Sequence, residues 1–255
     1  MNILRKVLLG GFCVFFIFVL SGCVYLRLAK IKKQLRDFDE KITILEDEYF
    51  SIVFADAALL PRDVVWMMKQ EPTYQENGEQ GLVYGYVLEK QYKGQKGEEG
   101  NFDLPLRYVF RDGKVGRIDL DKGYLTLVHR ELTLAILKAI GKAKINYWSK
   151  SMTLKLEKLD VGLDDLPDVN DVLATLGEPY DVNESVYTWK YLHKRGAGEE
   201  GKKHFSNGKI TFDKETGKMK SAFSKLYHHG YGVNFEKLFE DAKKEKGKGE
   251  ADKTN

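Results

Sequence analysis

Apolar residues recur along this chain at two different periods, and each change of period marks an element. Leu28, Ile31, Leu35, Phe38, Ile42 and Leu45 follow one another at three- and four-residue steps. That spacing predicts an amphipathic helix, too short for a coiled coil, lying on a sheet of its own chain. Tyr49 to Phe54 is apolar, aromatic and β-branched and reads as a strand. Pro61 opens a second helix, at a position where its missing N–H costs nothing. Val64, Val65, Met67 and Met68 are that helix's apolar positions, and Pro72 ends it.

From Gly81 the period becomes two. Leu82, Tyr84, Tyr86 and Leu88 share one face of a strand, and Val83, Gly85 and Val87 the other. A polar, glycine-rich stretch from Gly94 to Asn101 interrupts it. Leu104, Leu106, Tyr108 and Phe110 form the next strand face, with Pro105 hinting at an edge. Asp112-Gly113 is a hairpin turn signal, and Val115 to Leu120 closes a sheet.

The second half opens with Leu125 to Ile140, a more evenly apolar helix and therefore a more buried one, placed between the halves. Met152, Leu154 and Leu156 alternate with polar residues as a half-exposed strand. Pro167 leads into a helix carrying Val169, Val172, Leu173 and Leu176, which Gly177 stops. Val186 to Leu192, Ile210 to Phe212 and Met219 to Leu226 are strands, with a Thr216-Gly217 turn between the last two. Phe235, Leu238, Phe239 and Ala242 make a short docking helix capped by Asn234. From Lys243 onwards there are no apolar residues to build a core, which predicts disorder.

The two halves repeat one plan. Leu60 to Tyr86 and Leu166 to Tyr191 each read as helix start, short helix, proline-marked stop and aromatic strand. Asp63-Val64 answers Asp171-Val172, Glu71-Pro72 answers Glu178-Pro179, and Tyr84 and Tyr86 answer Trp189 and Tyr191. The sequence Gly-Glu-Glu-Gly recurs at 97–100 and 198–201, in the same connection of each half. The expected fold class is therefore α+β: two tandem repeats, each of two helices packed on an antiparallel sheet of about four strands. The expected division is a leader at 1–22, a first repeat with its N-terminal amphipathic helix at 23–123, a second repeat at 124–235 and a charged tail at 236–255.

The N-terminus adds an address. Arg5 and Lys6 precede an uninterrupted apolar run, Val7 to Leu20, short for a membrane span and suited to a secretory leader. Leu20-Ser21-Gly22-Cys23 follows at once and resembles a bacterial lipobox. On that resemblance Cys23 is acylated and becomes the first residue of the mature protein, which its acyl chains hold on a membrane. Val24, rather than an aspartate, leans towards the outer membrane. The alternative is an uncleaved single-pass anchor from about Val7 to Leu26, and Arg27, Lys30, Lys32 and Lys33 beyond the apolar run favour it by opposing outward transfer.

Composition narrows the function classes. The 255 residues are 43% hydrophobic and 12% aromatic, ample for packed cores. The net charge is only +3, which excludes the strongly basic footprint of a nucleic-acid binder. Cys13 and Cys23 both lie near the N-terminus, so the body has neither a disulfide framework nor a cysteine metal site.

Candidate chemistry is sparse. Gly196-x-Gly198-x-x-Gly201 matches the dinucleotide fingerprint in letters, but it joins two predicted antiparallel strands and no helix follows. His193 and His204 flank that loop and would face each other across the hairpin, with His228-His229 as further metal ligands; no cysteine or spaced acid completes a site. The two Gly-Glu-Glu-Gly loops read as hairpin tips, and a Ca²⁺ contact there lacks a ligand ladder. Asp164, Asp165 and Asp168 are explained by favourable charge at a helix N-terminus. There is no nucleophile elbow, zincin motif or phosphate loop. No catalytic residue, cofactor or metal is expected.

Val172, Leu176-Gly177-Glu178-Pro179, Trp189, Tyr191 and a strand ending at Phe212 together resemble the SmpA/OmlA (BamE-like) lipoprotein family. The first half fits more loosely, because Lys69-Gln70-Glu71-Pro72 lacks the glycine and Tyr84 replaces the tryptophan. The resemblance implies two helices on an antiparallel sheet in each copy, and the tandem is similar to the β-lactamase inhibitor protein fold. It also implies a non-enzymatic outer-membrane lipoprotein facing the periplasm, whose partners include outer-membrane protein assembly components. The alternative is an inhibitor or ligand-binding module using a concave sheet surface.

Overall fold

Each half of the chain turns from helix to sheet at a capped junction. The computed structural model describes residues 24–78, 81–93, 103–146, 151–153, 162, 165–196, 203–226, 229–237 and 239–240. Helix α1 covers residues 24–36, and the short α2 (Phe38–Lys41) runs straight into the hairpin β1 (Ile42–Glu46) and β2 (Phe50–Phe54). Helix α3 (Pro61–Met68) has proline in its first turn, and the Asp63 carboxylate accepts the Leu60 N–H at 2.8 Å, closing the N-terminus. Lys69 ends it in the left-handed region at φ 52°. Four strands follow: β3 (Tyr74–Gly78), β4 (Gly81–Gln91), β5 (Leu104–Arg111) and β6 (Lys114–Leu120).

The second half begins with α4 (Gly123–Leu127) and α5 (Arg130–Lys142), then the short strands β7 (Lys144–Asn146) and β8 (Ser151–Thr153), which pair only with each other. Helix α6 (Val169–Leu176) is capped by Asp168, whose carboxylate accepts the N–H groups of Asn170 and Asp171 at 2.8 and 3.1 Å. Asp171 returns the bond by accepting the Asp168 N–H at 3.0 Å, so the helix has a reciprocal box. Gly177 ends it at φ 63°. Four strands follow: β9 (Asp181–Asn183), β10 (Val186–His193), β11 (Phe205–Phe212) and β12 (Met219–Leu226). The chain then adds β13 (His229–Asn234) and a helical turn at 235–237, where Asn234 accepts the Lys237 N–H at 2.9 Å.

The strands join in one antiparallel sheet of eleven, in the order β1-β2-β6-β5-β4-β10-β11-β12-β13, with β3 beside β4 and β9 beside β10. The expected fold class, two tandem repeats each of two helices packed on an antiparallel sheet of about four strands, is therefore wrong: the molecule is mostly one large sheet with few helices. The reason lies in β4 and β10. β3 covers only Gly81–Gly85 of β4, and the far end of the same edge, Leu88–Gln91, pairs with Lys190–His193 of β10. Conversely, β9 covers only Val186–Thr188 of β10. Each half leaves a stretch of bare edge, and the two stretches satisfy one another's backbone groups. Thr73 fastens this seam, its hydroxyl donating to the Lys194 carbonyl at 2.6 Å and accepting the Val87 N–H at 3.1 Å. Lys90, buried within β4, donates its ammonium to the Leu176 carbonyl at the end of α6 and sits 4.8 Å over the Tyr92 ring.

The expected helix from Leu28 to Leu45 also breaks. Ile42 and Leu45 leave the helix and pair with Phe54 and Ser51. Three hydrophobic clusters fill the helix-covered side of the sheet. In the first half, Tyr86, Tyr108, Phe110 and Val115 meet Val64 and Met68 of α3. At the first edge, Phe50, Ile52 and Phe54 meet Leu35 and Phe38. In the second half, Trp189, Tyr191, Ile210 and Phe212 meet Val172 and Leu176 of α6. Trp189 also donates its indole N–H to the Gly177 carbonyl at 3.1 Å, tying the helix end to the sheet. Helix α5 lies between two of these clusters: Leu132, Ile136 and Ala139 belong to the second-half cluster, while Leu134, Leu137 and Ile140 pack on the first-edge cluster. It meets α1 so closely that a Cβ on Gly141 would lie 2.2 Å from the Arg36 backbone nitrogen.

Candidate functional site

The helices cover one side of the sheet, and the register fixes which side chains occupy the other. Residues directly opposite in an antiparallel ladder share a face. In the first half that face carries Val83 and Gly85 of β4, Arg107 and Val109 of β5, Arg117 and Asp119 of β6 and Ser51 of β2. Of these, Ser51, Val83, Arg107, Val109 and Arg117 line an open groove of about 380 Å³ together with Leu45, Gly78 and the 47–49 turn.

Charges in this groove neutralise one another. Asp119 is fully buried, accepts the Ser51 hydroxyl at 2.7 Å and forms an ion pair with Arg117 at 2.8 Å. The Arg107 guanidinium lies 4.8 Å over the Tyr49 ring and 3.4 Å from Glu76. Tyr74 lies flat across Gly85, where a Cβ would overlap its ring at 2.0 Å. Burial raises the Tyr74 hydroxyl pKa, against the nearby charge of Arg107. Among the described residues Ser51 has a carboxylate beside it but no histidine, and that carboxylate is held by Arg117. The arrangement ties β2 to β6 across the sheet.

The second half presents a different surface. On β10 the same face carries Val186, Thr188, Lys190 and Leu192; on β11, Phe205, Asn207, Lys209 and Thr211; on β12, Ser221, Phe223 and Lys225. These three strands place no acidic residue on it. Lys190 rests its ammonium 4.5 Å over the Phe205 ring and 5.0 Å over Tyr180. Phe223 lies over Gly232 of β13, whose bare Cα leaves room for the ring. Phe205 and Phe223 remain 39% and 43% exposed, although they are large apolar side chains on regular strands. Three cations spread among two open phenyl rings form a flat surface suited to a partner that is acidic and apolar by turns.

The residues singled out from sequence fall unevenly. Cys23 lies outside the described residues, as do both Gly-Glu-Glu-Gly loops, Asp164 and His228. Of the dinucleotide-like glycines only Gly196 is described; it packs against the Pro72 and Thr73 carbonyls. His193 and His204 do face each other across the hairpin, the His193 N–H donating to the His204 carbonyl at 2.9 Å. The His193 ring is 2.5 Å from the Ser206 hydroxyl and is buried, which, with the charge of His204, pushes its pKa down to about 4. A buried imidazole hydrogen-bonded to a serine is core structure. Among the described residues no cluster of histidine, cysteine or acid has the grouping needed to hold a metal. Asp168 is the helix cap described above. The basic second-half face was missed from sequence because lysines alternating with apolar residues read as an ordinary solvated strand face. Only the unusual pairing of Phe205 and Phe223 with those lysines marks it. Comparison with protein-family models, with curated proteins and with solved structures finds no match for this chain.

Proposed function

We propose that this protein is a non-enzymatic envelope lipoprotein, anchored through acylated Cys23, that binds a protein partner through the open second-half face of its sheet. The observation that carries the binding role is the exposure of Phe205 and Phe223 beside Lys190, Lys209 and Lys225. The anchoring role rests on Leu20-Ser21-Gly22-Cys23 after a short apolar run. The resemblance to the SmpA/OmlA (BamE-like) family directs the search for the partner to the outer membrane and to outer-membrane protein assembly.

Two experiments test the two parts. Globomycin or Cys23→Ala accumulates a slower-migrating precursor if Cys23 is the acylation site; unchanged migration in both removes the lipoprotein reading. A photocrosslinking residue at Phe205 or Phe223, in intact envelopes, should capture a partner that the same residue at Lys114, on a hairpin tip, does not. Equal capture at all three positions, or none, refutes the face. Recovery of barrel-assembly components supports a role in outer-membrane assembly. A single soluble partner supports the inhibitor or ligand-binding alternative.

A further inference from the structure

The first residue described after Cys23 is Val24, at the start of α1. That helix carries Arg27, Lys30, Lys32, Lys33 and Arg36 and no acidic residue. Arg27 is neutralised by Asp63 of α3, at 2.5 and 2.6 Å, which docks the start of α1 against α3. Lys30 and Lys33 stay exposed, one and two turns beyond Leu26 on the same side of the helix. Leu26 is 68% exposed and Tyr25 58%, both within three residues of the acylated position.

Helix α3 completes the surface. Trp66 is 42% exposed and meets the Tyr25 ring edge-to-face at 6.2 Å. Lys69 sits 4.2 Å over the Trp66 ring, and Arg62 is one turn away on the same side of α3. The result is an aromatic and leucine patch, ringed by cations, at the point where the chain leaves its anchor. Water is a poor solvent for such a patch, and an anionic headgroup layer is a good one. Tryptophan and tyrosine rings prefer the membrane interface, leucine reaches the acyl boundary, and lysine stems span to the lipid phosphates.

We propose that Tyr25, Leu26 and Trp66, with Lys30, Lys33 and Lys69, form a membrane-contacting patch that lies in the headgroup layer of the bilayer holding Cys23. The inference rests on the lipid-anchor reading for its geometry. It adds that the anchored body is seated on the bilayer by one face, leaving its orientation fixed.

The test uses the full chain reconstituted by its own N-terminus into phosphatidylethanolamine vesicles with about a quarter phosphatidylglycerol. Emission of the wild type minus that of Trp66→Phe isolates Trp66 from Trp148 and Trp189. Brominated acyl chains should quench that difference signal. Lys30→Glu with Lys33→Glu should weaken the seated state by about five-fold for each basic residue removed, and Leu26→Asp should shift Trp66 emission to the red. Flotation reports anchoring, and the mass of the N-terminal peptide reports acylation. An unquenched Trp66 on a chain that floats and is acylated overturns the patch and leaves the lipoprotein reading standing. A quenched Trp66 on a chain without acyl groups supports the patch and removes that reading. A Trp66 blue shift that depends on protein concentration without lipid assigns the patch to a second copy of the chain, and also overturns the proposal.

Discussion

Asp63 is fully buried and pairs with Arg27, itself 16% exposed, with the Arg62 charge also acting on it. Replacing Asp63 with Asn takes the carboxylate away from the partly buried guanidinium. That costs about 3 kcal/mol, the low end for a broken buried pair, because some water still reaches Arg27. The amide oxygen of Asn can still accept the Leu60 N–H, so the cap, worth about 1 kcal/mol, adds nothing further. Arg27→Met strands the fully buried carboxylate instead and costs at least as much, about 3 kcal/mol. The double variant has no stranded charge and should lose no more than either single change, about 3 kcal/mol, leaving a coupling of about 3 kcal/mol in the cycle. Urea unfolding followed by circular dichroism measures all four proteins. The pH dependence supplies a second check. Burial alone would raise the Asp63 carboxyl pKa, but the Arg27 bonds, the Leu60 N–H and the Arg62 charge outweigh it and hold it below its ordinary 3.8. The stability it contributes is therefore complete above pH 3.8 and disappears as pH falls through the lower folded value. The gap between wild type and Asp63→Asn should close in strong acid. Additive single costs, or a gap unchanged in acid, would refute the clamp.

Gly141→Ala should cost about 3 kcal/mol, because its Cβ would meet the Leu35 and Arg36 backbone, which cannot swing aside. A thermal melt should show Tm lowered by about 6–12 °C, and an unchanged Tm would remove the close α1–α5 approach; Gly113→Asn, at a positive φ with open space, should lose about 1 kcal/mol or less. His193 has a folded pKa of about 4 against an ordinary 6.5, so stability is full above pH 6.5 and falls between there and about 4. His193→Gln should flatten that limb in pH-dependent melts, and an identical acid limb in both proteins would contradict it. Lys90 is buried with its pKa lowered by desolvation, which the Glu178 charge opposes, so its unfavourable burial is relieved as pH rises towards 10.5. Lys90→Met, which keeps the packing, should be tolerated far better than Lys90→Ala, which leaves a hole at the seam; equal losses by urea titration would show that the ammonium bond dominates.

Local structure was legible where one residue type has one physical use. Pro61, Asp168, Gly177, Asn234 and the Asp112-Gly113 turn all stand where their chemistry requires. Strands β4, β5, β6, β10 and β12 follow from period-two alternation. The joined sheet was not legible, because nothing in Glu89, Lys90 and Gln91 tells that the end of β4 pairs with β10. Those polar residues hide a strand whose partner is about a hundred positions away, and no local pattern reports that pairing. Residues 42–46 were misread because Phe38, Ile42 and Leu45 keep the helical step while Ile42 and Ile44 fit a strand face; pairing with β2 decided between them. The candidate face was invisible for a related reason. Its lysines lie on three separate strands, and only the register of β10, β11 and β12 puts them side by side.

A tether transmits force, and the start of α1 is where a lipid-anchored chain would be pulled. Three fastenings hold that helix. Arg27 grips α3, Lys32 grips the Ala143 carbonyl at the end of α5 at 2.7 Å, and Gln34 exchanges two hydrogen bonds with the Asp56 backbone. They reach the first-half helix, the helix between the clusters and the loop after β2. If Cys23 is the anchor, a load applied there meets all three before it can peel α1 from the body.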